Sequence, residues 1–128
     1  MITRLKTSKL SKERLEFLNG VLRMSNNAVI LRWAIAKSIE CDKDILFDKD
    51  GEVLDTSGFE ITRHTLFGEN EILYKVLFNI SYTDNDETFF PKLTNMHIER
   101  GLKILEKEYR MAGNKDKFIR HQINKLQN

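Results

Sequence analysis

Residues Asn26–Ile39 read NNAVILRWAIAKSI. From Ala28 to Ile35 apolar or small residues fill nearly every position, so little polar face is left for solvent. A helix that is apolar all round belongs at a centre, packed on several sides. In a chain of 128 residues it also suggests a subunit interface. Asn26 or Asn27 is placed to cap its start, where a side-chain oxygen satisfies free amides. Arg32 interrupts the run and, if buried, needs a carboxylate or phosphate partner. The fold is therefore expected to be a set of helices arranged around this one.

The flanking segments supply them. Ser8 or Ser11 can cap SKERLEFLNGVLRM (11–24), whose Leu15, Leu18 and Leu22 fall at i, i+3, i+7. Before it, ITRLKTS alternates like a short strand or an extended arm. Downstream, ENEILYKVLFNISY (69–82) sets Ile72, Leu73, Val76, Leu77 and Ile80 on one face. TNMHIERGLKILEKEYRM (94–111) does the same with Ile98, Leu102, Leu105 and Tyr109, and AGN ends it. KDKFIRHQINKL (115–126) aligns Ile119, Ile123 and Leu126. At least one of the adjacent Phe89 and Phe90 is expected in the core. The reading is a mainly α fold of about five helices with at most a short N-terminal strand. It forms one domain over 1–128, with an acidic loop at about 41–58.

Composition narrows the chemistry. Cys41 is the only cysteine, which excludes an internal disulfide or a multi-cysteine metal site in this chain. Its neighbours Glu40 and Asp42 disfavour a thiolate. His64, His97 and His121 have no metal-ligand spacing. DKDG (48–51) imitates a calcium loop, but Leu46 and Ser57 stand where ligands belong. Phosphate-loop and dinucleotide fingerprints are missing, as is any signal of a catalytic triad. No cofactor or metal is expected. The N-terminus lacks a signal peptide's apolar run, and no apolar stretch approaches membrane-spanning length. A cytoplasmic protein is expected.

The net charge of +2 conceals a strong pattern. Residues 1–39 carry eight Lys/Arg against two Asp/Glu, and residues 91–128 nine against four. Between them, 40–60 carry two against eight and 61–90 two against five. Two basic ends flanking an acidic middle point to a polyanion partner. The basic residues are grouped: Arg4, Lys6, Lys9, Lys12 and Arg14 near the start, then Arg100, Lys103, Lys107 and Arg110 at i, i+3, i+7, i+10. Lys115, Lys117, Arg120 and Lys125 follow on the last helix. Such faces are also what solvated helices carry, and Glu99, Glu106 and Glu108 can pair with the second group. The first group is less diluted by acid, and its extended spacing suits phosphate contacts.

GFEITRHTLFGEN (58–70) holds reactive residue types, yet it reads as a hinge. Phe59, Ile61 and Leu66 anchor it, Thr65 satisfies backbone groups at the turn, and Glu69 and Glu71 suit the first turn of a helix. Arg63 is placed to pair with a carboxylate or reach a phosphate.

FEITRHTLFGE (59–69), with its R-x-T-L-x-G-E string, followed by HIERGLKIL (97–105), resembles the DndE family of DNA phosphorothioation systems. LSKERLEFL and NNAVILRWAIAKSI precede them in the family's order, so the resemblance covers most of the chain. In these systems sulfur replaces a non-bridging phosphate oxygen; a cysteine desulfurase, an iron–sulfur/ATP-using partner and an ATPase-like component do the chemistry. The resemblance implies a small, non-catalytic, DNA-associated component that works with those proteins. The strand–helix–helix start is also similar to ribbon-helix-helix proteins, which dimerise through the strand and second helix.

The expected function is thus a DNA-binding homo-oligomer, dimer or tetramer, gripping the phosphate backbone of intact, nicked or distorted duplex. Its contacts would be Arg4, Lys6, Lys9, Lys12, Arg14, Arg63, Arg100, Lys103, Lys107 and Arg110. The alternatives are a protein–protein adaptor of the modification complex and an enzyme centred on Arg63, His64 and Glu69.

Overall fold

Ser8 sets the start of the first helix: its hydroxyl oxygen accepts from the Ser11 amide at 3.0 Å. Asn26 does the same for the second, accepting from the amides of Ala28 and Val29. The structure, a computed structural model, describes residues 1–41, 43–45, 51–81 and 83–127. Its elements are β1 (Arg4–Lys6), α1 (Lys9–Leu22), α2 (Asn27–Glu40), β2 (Glu60–Thr62), α3 (Arg63–Phe67), α4 (Glu71–Leu77), α5 (Thr94–Ala112) and α6 (Lys115–Gln127). A wide helical turn, Thr88–Leu93, leads into α5. Most of DKDG lies outside the described residues, as does Tyr82.

The chain is mainly helical, as expected, with β1, α1 and α2 in strand–helix–helix order. Two features differ from the expectation. The hinge at 58–70 contains a strand and a one-turn helix of its own. And β1 pairs antiparallel with β2 of the same chain, Leu5 opposite Ile61, rather than awaiting a second copy. Both of those side chains face the core.

The apolar helix α2 is central. It packs on α1, α3 and above all on α5. Gly101 of α5 sits directly on the α2 backbone: a Cβ there would lie 1.7 Å from the Ala34 carbonyl oxygen. Only glycine permits this crossing. Around it Leu15, Leu18, Leu22, Ile98, Leu102 and Leu105 are buried as their spacing requires. Arg32 donates to the carbonyls of Thr65 and Leu66, the last turn of α3, at 3.2 Å each. Negative partial charge at a helix C-terminus suits that cation.

The buried Lys37 was not anticipated as core. Its ammonium reaches Glu108 at 2.8 Å across the α2–α5 interface. Burial alone would raise the Glu108 carboxyl, but hydrogen bonds from Lys37, Gln122 and Lys125 outweigh it and hold it below its ordinary value.

The helix expected over 69–82 is shorter and turned. Asn79 adopts a left-handed conformation just beyond α4, which asparagine tolerates better than most residues. The side turned inward is Tyr74 and Phe78, which pack against Phe67 and Phe89. Aromatic rings bury more area than the aliphatic stripe and win the orientation. Ile72, Leu73, Val76 and Leu77, expected in the core, are exposed. Likewise α6 buries Phe118 against Trp33 and Tyr109, leaving Ile123 and Leu126 outside. Phe89 and Phe90 are both fully buried. Gly113, at φ 91°, makes the left-handed turn between α5 and α6. Among the described residues no helix is long and apolar enough to cross a membrane.

Gly101→Ala should lower Tm by roughly 5–10 °C through overpacking. Because the clash is with backbone, adding Ala34→Gly should not restore it. Differential scanning calorimetry of the single and double variants checks both statements.

Candidate nucleic-acid interface

The junction of β1 and α1 is held rigidly from behind. Glu99 of α5 accepts from the hydroxyls of both Ser8, at 2.7 Å, and Ser11. Asn95 donates to the Lys6 carbonyl at 3.0 Å, and the Thr7 amide donates to the Phe59 carbonyl at 2.8 Å. With its backbone pinned and Leu5 buried, the junction turns Arg4, Lys6, Lys9 and Lys12 to solvent. Arg4 and Lys6, two residues apart on a strand, project to the same side about 7 Å apart. Lys9 and Lys12, three apart on a helix, are neighbours. The arrangement is a short row of cations on a fixed base, which is what contact with successive phosphates requires.

Two acidic groups border this row. Glu60 pairs loosely with Arg4 at 3.7 Å. Asp55 accepts from the Lys9 amide at 3.0 Å, so a carboxylate occupies the N-terminus of α1. Hydrogen bonds from the Ser57 hydroxyl and then the Lys9 amide hold the Asp55 carboxyl below its usual range.

The remaining basic residues divide. Arg14 is largely enclosed between Glu99, at 3.8 Å, and Glu106, at 3.4 Å. Arg100 turns inward and donates to the Ser38 hydroxyl, the Ser38 carbonyl and the Lys43 carbonyl at 2.8, 2.6 and 2.9 Å. Ser38 in turn contacts His97 Nδ1 at 2.8 Å, and the His97 ring stacks on Phe78. Lys103 and Lys107 point to solvent. Arg110 is exposed over the Phe17 ring, 4.2 Å from its centroid, beside Glu106. Arg14, Arg100 and Lys103 line one cleft with Leu10, so the basic groups of α1 and α5 meet there; Val53 of the acidic segment closes it.

Arg63 is spent on protein partners. It is 6% exposed. Its guanidinium makes a two-pronged bond to Asp86, 2.8 Å on each arm, donates to Glu71, and reaches the Ile2 carbonyl at 3.3 Å. The Phe89 and Phe90 rings lie 5.5 and 5.3 Å from it. Hydrogen bonds from Arg63 hold both carboxyls below their ordinary values, while Asp86 and then Glu71 raise the guanidinium. Of the two roles open to Arg63 in the sequence, the structure shows the carboxylate pair. His64 and Glu69 are exposed beside it. Among the described residues no group of three or more His, Cys, Asp or Glu is arranged to hold a metal ion. Sequence reasoning missed Asp86, whose only signal is an acidic residue in the loop before the buried Phe pair.

Because the folded carboxyls of Asp86 and Glu71 lie below their unfolded values, the stability they contribute is full above about pH 5 and lost as pH falls through the folded values. Arg63→Ala should cost less than the roughly 3–5 kcal/mol of a fully buried pair, since each carboxylate keeps about a third of its exposure. It should also flatten the fall of stability below that pH. Urea unfolding from pH 7 to pH 3, wild type against variant, reads both.

Comparison with curated proteins gives no match. Two solved structures are similar at 19% identity and a TM-score of 0.60. One is the crystal structure of DndE from Escherichia coli B7A, described as involved in DNA phosphorothioation modification; the match covers 82% of this chain and 98% of that one. The other is a DndE variant with glycine-to-lysine substitutions, described as involved in DNA phosphorothioation, covering 81% and 97%. At this identity the likeness establishes the fold. The family model for the DNA sulphur modification protein DndE matches residues 4–113, which takes in both signature stretches and every element from β1 to α5. The chain belongs to the DndE family.

Proposed function

We propose that this protein is a DNA-binding, non-catalytic component of a DNA phosphorothioation system, acting as a homo-oligomer beside the proteins that carry out the sulfur chemistry. It grips the phosphate backbone of intact, nicked or distorted duplex and presents it to them. The observation that carries this reading is the row Arg4, Lys6, Lys9 and Lys12, solvent-facing on a junction braced by Glu99, Asn95 and Phe59. Lys103, Lys107 and Arg110 extend it along α5. Arg14, Arg63 and Arg100, whose donors face carboxylates and carbonyls, support the interface from within rather than reaching phosphate. Phosphates carry no sequence information, so recognition is of backbone and shape. Oligomerisation would repeat the row and multiply its effect.

A second reading, a protein–protein adaptor without direct DNA contact, is favoured by the exposed apolar face of α4. Retained capture of the other system proteins with no duplex binding at low salt would select it.

The triple variant Lys6→Glu, Lys9→Glu, Lys12→Glu should weaken duplex binding and reduce the slope of log K against log salt by about 2–3, since each phosphate that a lysine neutralises adds about 0.9. Arg23→Glu, at the other end of α1, should leave the slope unchanged. Fluorescence anisotropy over a salt series measures it; an unaltered slope in the triple variant removes the row from the interface.

A further inference from the structure

Two surfaces that the fold leaves open are complementary. One is the outer face of α4, where Ile72, Leu73, Val76 and Leu77 are 76%, 55%, 65% and 43% exposed. Single exposed aliphatic residues are ordinary, but four together on two turns of helix mark an interaction site. The sequence flanking α4 is mainly acidic: Glu69 precedes it, and Asp84 and Glu87 follow, while Glu71 is engaged by Arg63. Lys75 is drawn back onto Glu71, at 3.7 Å, and the Phe89 ring, at 5.3 Å.

The other is a groove between α5 and α6. Ile104 and Ala112 form its apolar floor with Met111 exposed beside them, and Lys107, Lys117, His121 and Lys125 its rim. Met111 is 78% exposed. Glu108, the one acidic residue lining it, is already engaged by Lys37, Gln122 and Lys125. One wall is α6, which lies beyond the residues 4–113 matched by the family model. The groove is therefore a feature of this chain over and above the family match.

We infer that α4 of one copy seats in the α5–α6 groove of a second copy. The aliphatic face covers the apolar floor, and the acidic flank of α4 meets the lysine rim. This is an amphipathic helix in a groove, with opposite charge setting the register. The two patches are different, so the contact is heterologous: each copy offers one helix and one groove, and repetition gives a ring or an open chain. Duplex DNA fits the groove less well: phosphates would meet the basic rim but leave Ile104 and Met111 uncovered. The inference rests on the oligomeric part of the function above; of the cations assigned there to DNA it uses only Lys107, and none of the row at β1 and α1.

The test is light scattering without DNA. Wild type should be assembled. Val76→Lys, which spoils the helix, and Met111→Glu, which spoils the groove, should each lower the mass. Both side chains are exposed, so far-ultraviolet circular dichroism should stay unchanged. An equimolar mixture should exceed the mass of either variant alone, because one brings an intact groove and the other an intact helix. A monomeric wild type, unchanged mass in both variants, or no gain on mixing would each overturn the contact. If Met111→Glu instead kept its mass and lost duplex binding, the groove would belong to DNA and the contact would fall, whereas failure of the lysine row shows only in the salt slope.

Discussion

The approach of α5 to the backbone of α2 at Gly101 is the constraint on which the rest depends. With no Cβ between them, the two helices lie close enough for neighbours of Gly101 to reach across. One residue back, Arg100 reaches Ser38 of α2. Two back, Glu99 reaches the hydroxyls at the start of α1. Two turns on, Glu108 meets Lys37. One glycine thus sets the reach of three polar bridges, and the bridge at Glu99 aims the basic row outward. The HIERG stretch that marks the family is in this sense an assembly joint: each of its polar side chains has a partner on another element.

The second signature stretch works by the same logic at the other end of the fold. Arg63 gathers the segment before β1, α4 and the turn before the buried phenylalanines around one guanidinium. A planar fork with five donors can hold several acceptors at once, which a lysine cannot. Arg63, a residue type that reads as reactive in the sequence, is here engaged by structure. The cost of a buried charge explains why: once Arg63 is inside, its donors must be met.

Helix positions, caps and the core of α1, α2 and α5 were legible because period, cap residues and spacing are local properties. The orientation of α4 and α6 was not. Each carries two candidate apolar faces, and the choice between them lies in rings contributed from elsewhere: Phe67 and Phe89 for α4, Trp33 and Tyr109 for α6. The pairing of β1 with β2 was hidden for the same reason, since its partner lies 56 residues away in register and is only three residues long. At the candidate interface, the outward lysines were legible from charge grouping alone. Which arginines turn inward was not, because that depends on carbonyls and carboxylates whose positions no local pattern records.

On the proposed function, charge grouping would also govern how a duplex is approached. Summed over the chain the charge is nearly neutral, so long-range attraction is weak. At physiological salt fields fade over about 8 Å, and what a phosphate meets is the local row. That row is not free of competition: Asp55 sits on the Lys9 amide and Glu60 beside Arg4. Both come from the acidic stretch 40–60, whose charge opposes that of the row. A phosphate brought to the start of α1 would have to share that helix terminus with Asp55 or displace it. Duplex binding as proposed would therefore compete with an internal carboxylate, and would be favoured only where several phosphates engage several cations together. Repetition of the row in the proposed assembly would supply that condition and would tie the strength of backbone binding to the contact between copies.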